Sequence, residues 1–302
     1  MRSIPLGKSG LSVPAVAVGC MRMKGLQAAE AERFVGTALE LGMNFFDHAD
    51  IYGGGECEKI FAKAYTGPRE KIFLQSKCGI RKGHYDFSKE HILASVDGIL
   101  SRLGTDYLDV LLLHRPDALV EPEEVAGAFD LLQAGGKVRN FGVSNQSPGQ
   151  IQLLQKCVRQ PLVANQLQFG LGHAQMVTQG THVNMSDDGA VNRDGGILDF
   201  CRLHSITVQP WSPFLYGFFR GPFIGDKHFK DLNAKLDELA KTYGADSTAI
   251  ALAWILRHPA KLQPVIGTMN LGRLASCAKA AEITLSREDW YALWLAAGNT
   301  LP

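Results

Sequence analysis

Much of what would classify a chain at a glance is missing from this one. Basic and acidic side chains nearly cancel, 31 Lys and Arg against 30 Asp and Glu, for a formal net charge of +1. No run of Lys and Arg is interleaved with aromatics, so nothing in the charge pattern offers a footprint for nucleic acid. The six cysteines, Cys20, Cys57, Cys78, Cys157, Cys201 and Cys277, are scattered without a CxxC pair. That spacing excludes a zinc knuckle and a dense disulfide framework, and it implies reduced thiols and no metal. No apolar run approaches the ~20 residues needed to cross a bilayer. The N-terminal stretch carries Arg2 and Lys8 but is interrupted by Pro5, Gly7, Gly10 and Pro14, which denies it the unbroken apolar core of a signal peptide. The expectation is a cytoplasmic protein without a membrane partner. A GxGxxG following a strand is absent as well: Gly53-Gly54-Gly55 runs into Glu56-Cys57-Glu58 and reads as a turn.

What the sequence does have is a repeated alternation. Hydrophobic residues make up 46% of its 302 positions and charged residues 20%, a profile that supports a sizeable buried core. Short apolar runs near 15–18, 44–46, 72–75, 108–113, 138–143, 162–166, 206–209 and 263–266 read as eight buried strands. Between them lie amphipathic stretches. Residues 28–41 place Phe34, Ala38 and Leu41 on one helical face, 88–103 begin at Ser88 as N-cap, 123–134 stop at Gly135-Gly136, and 148–158 open on Pro148. Strand then helix, repeated eight times, implies parallel strands joined by right-handed crossovers. The expected fold class is α/β, a (β/α)8 TIM barrel spanning residues 1–302 as a single domain.

Two additions to the repeat are expected. Periodic stretches at 229–243, 247–258 and 287–297 supply extra C-terminal helices, and no linker separates them. Residues 169–194, glycine-rich and weakly periodic with His173 and His182, form a long loop after the sixth strand. Loops of that length in compact domains are commonly functional, and the reading here is a lid over the active site.

In such a barrel the reactive side chains come from the C-terminal ends of the strands. The second strand ends in Phe46-Asp47-His48-Ala49-Asp50-Ile51-Tyr52, the third in Gln75-Ser76-Lys77 and the fourth in Leu113-His114. Each group has an ordinary alternative: an Asp caps the next helix, a Tyr packs, a His sits in a core. Together, Asp47, Tyr52, Lys77 and His114 placed after three adjacent strands favour chemistry, because polar groups at a barrel mouth are costly unless paired or used. Carbonyl reduction fits them. A tyrosine can protonate the developing alkoxide if a cation such as Lys77 lowers its pKa. Asp47 would hold Lys77 charged and in place, and His114 would hydrogen-bond the carbonyl oxygen.

The segment Gly42-Met43-Asn44-Phe45-Phe46-Asp47-His48-Ala49-Asp50-Ile51-Tyr52-Gly53, followed by Lys77 and His114, resembles the aldo-keto reductase family. The likeness runs from Leu6-Gly7-Lys8-Ser9-Gly10-Leu11 to the terminal helices and is greatest for a bacterial oxidoreductase subgroup. It implies the same four residues as the catalytic group, and NADPH (NADP+) as an extended cofactor across the barrel mouth. By resemblance, Ser144, Asn145 and Gln166 hold the carboxamide and Trp211 stacks on the nicotinamide within Pro210-Trp211-Ser212-Pro213-Phe214. Trp stands here where many relatives have Tyr. Gly267, Thr268 and Arg273 match the site for the adenosine 2′-phosphate, although Gly267 replaces a Lys of some relatives and Cys277 an Asn. Gly19, Cys20 and Met21 would line the cofactor and substrate pocket, with Met23, Phe169 and the Phe214–Phe219 run as further wall residues. A small-molecule carbonyl substrate is the partner implied.

Two other functions remain open at the level of sequence. Some barrels of this family act as ancillary subunits that sense a bound cofactor with little turnover. Lys77 could also serve a lyase as a Schiff-base nucleophile.

Overall fold

A computed structural model describes residues 1–302. Eight parallel strands close into a barrel: β1 (Ala17–Gly19), β2 (Phe45–Asp47), β3 (Phe73–Cys78), β4 (Leu108–Leu113), β5 (Val138–Ser144), β6 (Leu162–Gln168), β7 (Thr207–Trp211) and β8 (Val265–Ile266). Each lies within or beside one of the apolar runs. The ring closes where Val265 and Ile266 pair with Ala17 and Val18. β4 is buried along its whole length, as a strand covered on both faces requires.

Helices follow the strands: α1 (Ala28–Glu40), α2 (Glu56–Ala64), α3 (Lys89–Leu103), α4 (Pro122–Ala134), α5 (Pro148–Gln155), α6 (Gln175–Thr181), α7 (Ile197–His204), α8 (Lys230–Thr242), α9 (Ser247–Arg257), α10 (Leu271–Ala280) and α11 (Arg287–Ala296). Ser88 caps α3 by accepting from the His91 N–H at 3.3 Å. α5 starts at a reciprocal Ser147–Gln150 box and ends before 158, because Gln155 turns back to donate to the carbonyls of Val158 and Gln160. α8 and α9 both lie between β7 and β8, and α11 follows the last repeat, so the expected extra helices are present. Trp254 of α9 and Trp290 of α11 stack with centroids 4.9 Å apart, each indole donating to the other's backbone carbonyl. No helix is long and apolar enough to cross a membrane.

The N-terminal hairpin, Ser3–Pro5 paired with Ser12–Pro14, covers the end of the barrel where the strands begin. Its turn presses Gly7 against β6. A Cβ there would lie 2.3 Å from the Val163 carbonyl oxygen, and the φ of +49° is unfavourable for any other residue.

The segment 169–194 is not the lid expected of it. It carries α6 and binds the C-terminal tail: Thr178 Oγ1 donates to Asn299 at 2.7 Å, and His182 Nε2 lies 2.9 Å from the Thr300 carbonyl. None of its residues lines the cavity described below. Phe169, expected in the pocket, is fully buried against Trp254 instead.

Candidate active site

A cavity of about 940 Å³ opens at the C-terminal ends of the strands. Strand register brings its floor together. Gly19 pairs with Asp47, and Asp47 with Gln75, so the end of β2 meets the middle of β3. Residues alternate across a strand, so Gln75 and Lys77 of β3 point into the barrel while Ser76 and Cys78 point to the helices.

Lys77 is wholly buried and its Nζ is the hub of the site. It donates to Oδ1 and Oδ2 of Asp47 at 2.8 and 2.7 Å, to the His48 carbonyl at 2.8 Å and to the Tyr52 hydroxyl at 3.2 Å. Burial works against the ammonium charge, but Asp47 and Tyr52 outweigh it and hold the Lys77 pKa above the ordinary lysine value. A lysine so paired carries no free lone pair, which argues against a Schiff-base nucleophile.

Burial lifts the Tyr52 pKa above the usual tyrosine range; Lys77 pulls it down and Asp47 pushes it up, and burial prevails. The net direction is thus opposite to the lowering expected from a lysine neighbour. The Tyr52 and His114 rings meet edge to face, with centroids 6.0 Å apart. Burial, then the charges of Lys77 and Arg115, depress His114 far below the ordinary histidine pKa, so it is neutral at physiological pH. Its Nδ1 is buried without a partner.

Below this group the barrel interior is polar where branched apolar layers are the rule. Gln75 and Gln166 donate to Oδ1 of Asp47 at 2.6 and 3.0 Å. Gln75 and Gln209 exchange hydrogen bonds of 2.9 and 3.1 Å, Gln209 donates to Gln263 at 2.8 Å, and Gln263 donates to the Pro14 carbonyl of the N-terminal hairpin at 2.8 Å. All four amides are buried. Sequence reading missed Gln75, Gln209 and Gln263.

The remaining expected residues line one wall. Ser144 donates to the backbone carbonyl of Gln166, Asn145 donates to Ser144 Oγ at 2.7 Å, and the Trp211 indole donates to Asn145 Oδ1 at 3.2 Å. Asn145 and Ser212 adopt φ of 58° and 49° at the strand ends. Gly19, Met21, Phe214, Gly267, Thr268 and Arg273 also line the cavity. Cys20 and Met23 do not: both side chains are completely buried, and Cys20 turns away into the core between Gly19 and Met21. Arg22, unforeseen, donates to the Gly267 carbonyl at 2.7 Å. A short hairpin after β7, Leu215–Tyr216 paired with Gly221–Pro222, adds Leu215, Phe218, Phe219 and Pro222 to the cavity lining. Its Phe219, at a φ of 55°, lies nearly parallel to Trp211 with centroids 5.8 Å apart.

Comparison with known proteins identifies the family. The chain is 37% identical over 283 residues to a 6-dehydroglucose reductase of Agrobacterium fabrum, covering 89% of this chain and 88% of that protein. An oxidoreductase of Escherichia coli is 34% identical over 284 residues, with 90% and 89% covered. Among solved structures, a thermostable aldo-keto reductase bound to the inhibitor epalrestat superposes with a TM-score of 0.80 at 27% identity, over 98% of this chain and 100% of that one. An aldo-keto reductase of Klebsiella pneumoniae in complex with NADPH shares the fold, with a TM-score of 0.78 at 24% identity, over 100% of this chain and 96% of that one. The pattern of the aldo/keto reductase family matches residues 15–294, and this chain belongs to that family of nicotinamide-dependent oxidoreductases.

Proposed function

We propose that the chain reduces an aldehyde or ketone to an alcohol with NADPH, and that Tyr52 donates the proton. The observation that carries this reading is the contact between Lys77 Nζ and the Tyr52 hydroxyl at 3.2 Å. An ammonium group only donates, so the phenol oxygen must accept from it. The Tyr52 O–H therefore remains free to point into the cavity. As proton leaves Tyr52, negative charge develops on an oxygen already beside a buried cation, which stabilises the transition state more than the ground state. Asp47 keeps that cation fixed. His114, neutral, has only Nε2 free to face a substrate. Placing its proton there leaves a lone pair, rather than an N–H, unpartnered at Nδ1, and provides a donor to the carbonyl oxygen.

The residues fit the cofactor. The Gln166 amide gives its N–H groups to Asp47 and Gln209, which leaves its carbonyl oxygen available to accept from a carboxamide. Ser144 and Asn145 stand beside it, and Trp211, with Ser212 and Phe214, offers an aromatic wall for a planar ring. At the other end, Gly267, Thr268 and Arg273 at the start of α10 would take the 2′-phosphate, where a guanidinium can bind bidentately. When bound, NADPH supplies hydride to the carbonyl carbon. Two relatives are named 6-dehydroglucose reductases, so a sugar aldehyde belongs in the first substrate panel.

The test is NADPH oxidation, followed by its near-ultraviolet absorbance, against aldehydes, ketones and quinones. Turnover that Tyr52→Phe abolishes is the expected result. Full activity in Tyr52→Phe overturns the assignment of the acid, and no turnover with any carbonyl compound overturns the reductase reading.

A further inference from the structure

Two of the charged groups lining the cavity have no part in the reaction just described, Arg22, which is hydrogen-bonded to the Gly267 carbonyl, and Arg115. Arg115 follows His114 directly at the end of β4, half-buried, with its side chain on the cavity wall. Its guanidinium has no salt-bridge partner and donates no hydrogen bond within the protein. It lies over the rings of Trp211 and Phe218, 5.5 and 5.9 Å from their centroids. The nearest acid in sequence, Asp117, is directed elsewhere, its two oxygens accepting from the backbone N–H groups of Phe87 and Leu119. The two aromatic rings flank the guanidinium while leaving its five N–H donors unpartnered by protein.

Its place on the ring separates it from the cofactor's phosphates. Arg22 donates to the carbonyl of Gly267, just past the end of β8, and Arg273 lines the cavity from the start of α10, the helix that follows β8. In the closed order, β4 and β8 are four strands apart on a ring of eight, which puts Arg115 on the opposite side of the mouth. The one acidic side chain lining the cavity is Asp47, and Lys77 neutralises it. The space beside Tyr52 and His114 is thus bordered by an uncompensated cation, with apolar Met21 and Ile51 completing the wall.

We propose that Arg115 binds a carboxylate carried by the substrate, so that the preferred substrates are oxo acids: aldehydes or ketones with a carboxylate a short distance from the carbonyl. The assignment rests on the reductase reading above. A planar carboxylate matches the fork of a guanidinium with two parallel hydrogen bonds, and the contact would orient the carbonyl toward Tyr52 and His114.

The test pairs each of 2-, 3- and 4-formylbenzoate with its methyl ester, using NADPH and the intact protein, with benzaldehyde as the neutral reference. At least one acid is expected to exceed its ester in kcat/KM by roughly tenfold, the effect of one charge-assisted contact. In Arg115→Met that acid-to-ester ratio should collapse toward one, and Arg115→Lys should restore part of it, since a point charge lacks the bidentate geometry. Acids no better than their esters at any ring position, or a ratio unchanged in Arg115→Met, overturn the proposal while leaving benzaldehyde reduction to uphold the reductase reading. No reduction of any of these acids, esters or benzaldehyde overturns the proposal, and no turnover across the wider carbonyl panel overturns the reductase reading with it.

Discussion

Gln75 donates from Nε2 to Oδ1 of Asp47 across 2.6 Å, tying the carboxylate at the cavity floor to a row of amides along the barrel interior. The row ends at acceptors on both sides, the Asp47 carboxylate above and the Pro14 carbonyl below, and these ends fix which way each amide points. Asp47 thereby accepts from Gln75, Gln166 and Lys77 at once, and its orientation toward Lys77 depends on groups that never touch substrate.

Replacing Gln75 with leucine, close to it in size, should show both consequences. One N–H of Gln209 would lose its acceptor in a site closed to water, while Gln166 and Gln263 stay bonded to it, at a cost of about 1–3 kcal/mol in stability. Urea unfolding would read that as a lower midpoint with an unchanged slope. Because Asp47 also loses a donor, kcat should fall while the KM for NADPH stays near its original value. A variant as stable and as active as the parent would show that the row is mere filling.

Tyr52→Phe should separate chemistry from folding. The lost hydroxyl makes a single hydrogen bond, to Lys77, so stability should change little. The loss of a positioned acid should lower kcat by ~10²–10⁴-fold. Circular dichroism and a thermal melt would establish the fold, and single-turnover kinetics the rate. A decrease explained by unfolding alone would contradict the role given to Tyr52.

How much of this was readable in the chain depends on what each residue's role rests on. Asp47, Tyr52, Lys77 and His114 could be found because they are reactive types at the ends of apolar runs, where a barrel puts its chemistry. Gln75, Gln209 and Gln263 could not: a glutamine in a strand has no partner until register and closure bring another beside it. Cys20 was misplaced for a local reason, since a single-residue step past β1 separates the cavity wall from the core. The segment 169–194 was misread for a distant one. Its glycines suggest a loose lid, but its binding partners, Asn299 and Thr300, lie more than a hundred positions away.

Cofactor preference should depend on Arg273, at the start of α10 beside Thr268 and Asn270. Arg273→Met should raise the KM for NADPH by roughly 10–100-fold, the loss of a charge-assisted phosphate contact, and leave that for NADH nearly unchanged. Steady-state kinetics with both cofactors would read the difference. Equal effects on the two would place the 2′-phosphate elsewhere, with Arg22 the next cation to examine.

The pH profile follows from the same shifts. Burial raises Tyr52 above its ordinary value, and burial with two nearby cations drops His114 well below its own. Neither should titrate between pH 6 and pH 9, so kcat/KM for reduction should be level across that window, as ordinary values of ~6.5 for His and ~10 for Tyr would not ensure. An inflection near the usual histidine pKa would mean that His114 is charged in the working enzyme.

Stability should carry a pH signature from a different carboxyl. Asp50, two residues before Tyr52, is raised from 3.8 to about 6, first by burial and then by the charge of Glu58. Glu58 is also raised, since burial outweighs its 2.6 Å pair with Arg102. A carboxyl whose folded pKa lies above its unfolded one binds its proton more tightly when folded. Its contribution is therefore most favourable below the unfolded value and is lost as pH climbs through the folded one. For Asp50 the loss develops between about pH 4 and pH 6, and its full size is on the order of 1–3 kcal/mol. Asp50→Asn removes the titration and keeps the shape. The variant should be more stable than the parent at pH 7.5 and gain little at pH 4, with most of the difference appearing through pH 5, as urea midpoints measured across that range would show. A gain that is the same at every pH would trace to packing, and a loss at pH 7.5 would mean that the charged form of Asp50 is paired in solution by a group the fold places nearby, with Arg102 the first to test.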